Sequence, residues 1–301
     1  MKKRYSDSLL WLLITAAAAI LCAAARRFQL LTAFEGEFRL LVSGAPATVV
    51  LIVLFAVSAV LLAALAHRQP VSPVLKDNSA LSLWAENNTL FLVGVFLAGF
   101  LCLIAAPVLF IRGQQMREIY QAGLLSASLR GDTAIPGGNN GVLTLAAAVT
   151  SALSFIALLV VGRAAQKGSE KGRLALLIPV INNCLWLMEF YRSHAANPVR
   201  WDYGPLLVAI VAGTLLYLGW AGLYAGVFAP RRTLWIAGMT VVLSLTALMG
   251  DWSLGSALLL TSQMAAALAV LWCVPHNLRY PPELPAEENP AEEKLEEETH
   301  E

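Results

Sequence analysis

A proline, two adjacent amides, an indole and a carboxylate interrupt one apolar run of this 301-residue chain. Leu174–Tyr191 reads LALLIPVINNCLWLMEFY, with Pro179, Asn182, Asn183, Trp186 and Glu189 as its uncommon members. Proline has no N–H and its ring clashes with the carbonyl four residues back, so Pro179 predicts a break that frees the carbonyl of Ala175. Trp186 and Glu189 follow Asn182 by four and seven residues, which places the three on one face of a helix. A polar side chain in hydrocarbon is expensive unless it finds a partner. A broken helix beside side-chain amides is how transporters present ligand groups at mid-depth. Gln263, in another apolar run, supplies a third amide. The chemistry expected of this set is hydrogen bonding to a small polar ligand through Asn182, Asn183 and Gln263, with Trp186 and Glu189 on the flank and Pro179 as the break. The plainer reading of the same amides is interhelical glue, worth about 0.6 kcal/mol per bond.

Other chemistries have less to stand on. Glu189, Asp202 and Asp251 fall near segment ends on one side of the membrane and could serve a lipid-modifying enzyme at that surface; Glu189 could equally snorkel and pair with Arg192. The four cysteines (Cys22, Cys102, Cys184, Cys273) lie inside apolar segments without a CxxC pair, so four free, buried thiols are expected and no disulfide. The four histidines are scattered, which offers no convergent metal-ligand set. There is no HExxH, no phosphate-loop Gly-Lys-Ser/Thr and no row of arginines in any span. No catalytic residue, metal, cofactor or nucleic-acid partner is expected.

These residues must be positioned by membrane helices. Hydrophobic residues make up 58% of the chain, charged residues only 14%, and the mean hydropathy is +0.66. A soluble domain carries roughly 25% charge; this chain has too little for a solvated shell. Eight apolar segments stand near residues 9–25, 47–66, 89–111, 142–161, 174–191, 205–228, 234–249 and 254–273. A spanning helix takes roughly 20 apolar residues. The expected fold is therefore all-α: a polytopic integral membrane helix bundle of about eight transmembrane helices, occupying residues 1–280 as a single domain. The fourth to eighth segments all carry polar groups at comparable depth, so a midplane layer is expected in the C-terminal five helices. The sixth adds Tyr217, Trp220 and Tyr224 on one flank, either an aromatic wall beside that layer or lipid-facing bulk.

The charge distribution orients the bundle. With the N-terminus inside, 13 Lys and Arg fall on the inner side and 8 on the outer, the densest cluster being Gly162–Arg173. The positive-inside rule then places both termini in the cytoplasm. A rival reading takes Met1–Ala25 as a signal peptide, which leaves seven spans. Residues 26–41 and 114–129 show apolar residues at helical spacing and read as two short amphipathic helices on the outer surface, capping the bundle or covering a central site. The stretch 131–141 is turn chemistry. Residues 281–301 hold nine Glu against one Lys, a net −8, while the rest of the chain carries +9. Such a Pro-rich acidic tail reads as disordered. The leading functional expectation is a permease-like or substrate-binding membrane protein whose partners are the lipid bilayer and a small polar ligand. The alternative is a non-catalytic scaffold or sensory anchor whose tail recruits a basic cytosolic protein.

Overall fold

The computed structural model describes residues 6–35, 40–42, 44–72, 88–129, 140–167, 172–194, 200–225 and 229–280. The tail 281–301 and most of the 131–141 turn lie outside these residues. The helices are α1 (Ser6–Thr32), α2 (Pro46–Arg68), α3 (Thr89–Leu129), α4 (Val142–Lys167), α5 (Leu177–His194), α6 (Arg200–Tyr224), α7 (Pro230–Leu248) and α8 (Leu254–Arg279). A single helical turn, Gly172–Ala175, leads into α5. A two-residue antiparallel ladder, Phe34–Glu35 against Leu40–Leu41, follows α1. Helices prevail because a chain in lipid must satisfy its backbone groups internally. Pro46 and Pro230 open α2 and α7, where a missing N–H costs nothing. Ser253 caps α8, its hydroxyl accepting the Ser256 N–H at 3.4 Å.

Around the bundle run α1, α8, α3, α4, α5, α6 and α7, with α2 laid outside against α1 and α7 and with α8 touching α6 across the middle. The helices alternate in direction. The start of α1 and the end of α8 meet at one end of the bundle, where Arg279 pairs with Asp7 at 3.0 Å. At the same end the Trp11 indole donates to Gln69 Oε1 at 3.0 Å and Gln69 donates to the Pro275 carbonyl at 3.0 Å. The opposite end is marked by Phe190 edge-on to Trp252, 5.5 Å between ring centres. Large apolar side chains such as Leu13, Val60, Phe96 and Ile156 are exposed around the perimeter, as contact with acyl chains requires.

Seven helices are long and apolar enough to cross a membrane; α7, the seventh expected span, is not among them. It has 19 residues, and Arg231, Arg232, Thr233, Thr240, Ser244 and Thr246 dilute its apolar content. Its place explains this composition. α1, α2, α6 and α8 surround it, and Thr240, Ser244 and Thr246 are fully buried. Thr240 and Thr246 return their hydroxyls to the carbonyls of Ile236 and Val242 at 2.8 and 2.7 Å.

Three further expectations are corrected. Residues 26–32 do not form a separate surface helix but continue α1, and Phe34–Glu35 and Leu40–Leu41 pair in the ladder. Residues 114–129 likewise continue α3 without a break, giving a helix of 41 residues. Cys184 is exposed on the outer face of α5, while Cys22, Cys102 and Cys273 are buried as expected; membership of an apolar segment does not say which face a residue takes.

Candidate functional site

The inward face of α5 is made of Pro179, Asn182, Asn183, Trp186, Glu189 and Phe190, all buried. The 3.6-residue period that put Asn182, Trp186 and Glu189 on one face thus turns that face toward the bundle. Pro179, however, does not break the helix at mid-depth. It stands in the first turn of α5, where no intrahelical N–H bond is lost, and the irregularity lies upstream at Leu176.

The amides divide into two groups. Asn182 turns to α4, its Oδ1 accepting from Thr150 at 2.9 Å and from Ser151 at 3.2 Å. Gln263, on α8, donates through Nε2 to the Ala209 carbonyl of α6 at 3.0 Å and to Ser244 of α7 at 2.9 Å. Because a carbonyl can only accept, Ala209 fixes which end of the amide is nitrogen. Gln263 Oε1 is therefore left buried without a hydrogen-bond partner among the described residues, and so are Asn183 Nδ2 and the Trp186 indole nitrogen. The first two converge on Gly213 of α6: a side-chain carbon there would fall on Gln263 Oε1 and 3.1 Å from Asn183 Nδ2. Glycine at 213 thus lets an acceptor and a donor, one from α8 and one from α5, come up against the α6 backbone. Asn183 and Gln263 are 4% and 1% exposed, so the layer is closed in this structure.

Beside this layer, Ser262 donates to the Ala98 carbonyl of α3 at 2.7 Å and lies 3.0 Å from Cys102. The layer therefore draws on α3 and on α4 to α8, one helix more than the sequence suggested. Tyr217, Trp220 and Tyr224 are all buried, so they are bundle core and not lipid-facing bulk. Trp220 meets Phe91 edge-on, 5.9 Å between ring centres.

Glu189 is 5% exposed and accepts from Ser193 at 3.3 Å. It faces inward and does not snorkel. One turn on, His194 stacks on Phe190 at 4.1 Å and its ring nitrogen donates to the Phe190 carbonyl at 2.9 Å. Asp251 is exposed and Asp202 half-buried. Among the described residues no three His, Cys, Asp or Glu side chains gather in a way that could hold a metal ion.

A second polar cluster escaped the sequence reading. Arg26 is 1% exposed; it donates to Gln29 Oε1 at 2.6 Å and to the Asp202 carbonyl at 3.2 Å. Gln29 in turn donates to Thr48 of α2 at 2.8 Å. This chain ties α1, α2 and α6 together at the end opposite the termini. The available signal was the i, i+3 spacing of Arg26 and Gln29 directly after an apolar run, which extends α1 instead of beginning a separate surface helix. Comparison of the chain with protein-family models, with curated proteins and with solved structures finds no match.

Proposed function

We propose that this is a permease-like membrane protein, or the membrane substrate-binding component of one, that holds a small polar solute in the midplane layer. Asn183 and Gln263 bind the solute, Trp186 lines the same face, and Asn182 anchors α5 to α4. The observation that carries this reading is the pair of unpartnered atoms at Gly213, a donor and an acceptor, both buried. Leaving either bare costs on the order of 1–3 kcal/mol, and a solute bearing both a donor and an acceptor satisfies the two together. The closed layer corresponds to an occluded state. Glu189, at the mouth of the same helix face, lies where a solute entering from the end opposite the termini passes. The excess of basic residues on the side of the termini supports placing that side in the cytoplasm.

The test is water access. Asn183→Cys and Gln263→Cys, each in a background without the four native cysteines, are probed in intact cells with a polar, membrane-impermeant thiol reagent. Labelling at either position is expected, because alternating access opens the layer to water. Silence at both in folded protein would mean a dry bundle glued by amides, and the permease reading would fall.

A further inference from the structure

We infer that the acidic tail, residues 281–301, docks on the basic face at the end of the bundle from which it leaves. Because the helices alternate, the starts of α1, α3, α5 and α7 and the ends of α2, α4, α6 and α8 share that end. Arg68, Arg163, Lys167, Arg173, Arg231 and Arg232 stand there, all exposed. The acids of the described residues do not offset them. Glu35, Glu118, Glu189, Asp202 and Asp251 belong to the opposite end, and Asp7 is already paired with Arg279. A surplus of one sign gathered on one face attracts an anion.

Charge, place and access select the occupant. The tail carries nine Glu against one Lys, a net −8 that complements the face. Its root lies beside the cations: Arg231 donates to the Gln69 carbonyl at 3.2 Å, and Gln69 donates to the carbonyl of Pro275, near the end of α8, at 3.0 Å. The tail follows directly on Tyr280. A flexible chain of its length spans about 25 Å, against about 8–10 Å between neighbouring helix axes, and a short tether gives an effective concentration in the millimolar range. Anionic lipid competes for cations at the rim of the bundle, but Arg231 and Arg232 are not there. α1, α2, α6 and α8 surround α7, and the residues just inside, Thr233, Leu234, Ile236 and Ala237, are buried. The two guanidinium groups therefore rise within the ring of helices, where the tail reaches them and the bilayer does not. A tail held in this way has its charge matched within its own chain, not by a basic cytosolic protein.

The test is a distance, measured on the full chain in phosphatidylcholine nanodiscs with one copy per disc. In a background lacking the native cysteines, nitroxides are placed at Ala225→Cys, exposed just after α6, and at Ala291→Cys in the tail, and their separation is read by double electron–electron resonance. At about 0.1 M salt, where charges are screened over about 10 Å, a short and narrow distribution is expected; at about 1 M, where screening acts within about 3 Å, it should broaden and its mean should lengthen. Arg231→Gln combined with Arg232→Gln should give the same broadening without added salt. If that variant does not fold, Glu292→Gln, Glu293→Gln, Glu296→Gln and Glu297→Gln together leave the bundle untouched and should act alike. A broad distribution at about 0.1 M, or a short one that survives both salt and neutralisation, overturns the inference. A short distance that is lost when phosphatidylglycerol replaces phosphatidylcholine assigns the face to anionic lipid and overturns it as well.

Discussion

Asn182 and Asn183 are neighbours of identical chemistry with opposite accounts. Asn182 receives two hydroxyl protons from α4, while Asn183 presents a buried N–H to nothing among the described residues. Leucine at each should separate them. Asn182→Leu loses both contacts, at roughly 0.6 kcal/mol each, and Thr150 falls back on the Ala146 carbonyl 3.0 Å away in its own helix. A destabilisation of about 1 kcal/mol is expected, read as a lower melting temperature in detergent. Asn183→Leu removes an orphan donor and should leave the melting temperature unchanged or raised, while removing a hydrogen bond the solute needs. A fall as large as that of Asn182→Leu would show that Asn183 is partnered in the resting protein. The sequence made the polar face of α5 legible through its period. It could not show which amide was spent on packing, since that depends on Thr150 and Ser151 arriving from another helix. Arg26 was misread for a related reason: next to Arg27 it looks like the start of a separate surface helix, yet α1 continues and only Arg27 points outward.

At the scale of elements, helix existence was written in the apolar runs and helix ends were not. α3 is 41 residues, about 62 Å at 1.5 Å per residue, against a hydrocarbon core of about 30 Å. α4 begins beside Gly113, where a side-chain carbon would lie 2.8 Å from Leu145. Met116 and Arg117 still touch Thr144 and Gly141, so the 12 residues from Glu118 onward project about 18 Å beyond the start of α4. Nothing between Arg112 and Leu129 is a proline or a capping signal strong enough to stop the helix, so a surface turn was inferred from amphipathicity where the chain simply runs on. Pro179 is the converse case, a strong breaker placed where it breaks nothing. Its role predicts the outcome of replacing it. If it interrupted α5 at mid-depth, Pro179→Ala would stabilise by about 3 kcal/mol. In the first turn its ring only restricts the unfolded chain, so Pro179→Ala should destabilise by about 0.4–1 kcal/mol, and thermal unfolding separates the two signs.

For the whole molecule the decisive element is α7. Taken whole, its helix is not among the seven long and apolar enough to cross a membrane, and a bundle counted without it has the start of α1 and the end of α8 on opposite sides. In the packing, Arg279 pairs with Asp7, which brings the start of α1 and the end of α8 to one end of the bundle, and α7 runs between α6 and α8 with Thr240, Ser244 and Thr246 buried. A helix wrapped by its neighbours is relieved of the requirement to be apolar all round, which is why a criterion tuned to lipid exposure misses it. Five helices, α4 to α8, separate Ile119 from the tail. If all five cross, the two lie on opposite sides; if α7 does not, they share one. In a background lacking the native cysteines, Ile119→Cys, whose position is 74% exposed on the projecting part of α3, should react with an impermeant maleimide in intact cells. Thr299→Cys should react only after permeabilisation. Reaction of both before permeabilisation would make the number of crossings between them even and remove α7 from the membrane. The reverse pattern, with Thr299→Cys reacting first, would keep all eight helices and invert the bundle, against the excess of arginine and lysine on the side of the termini.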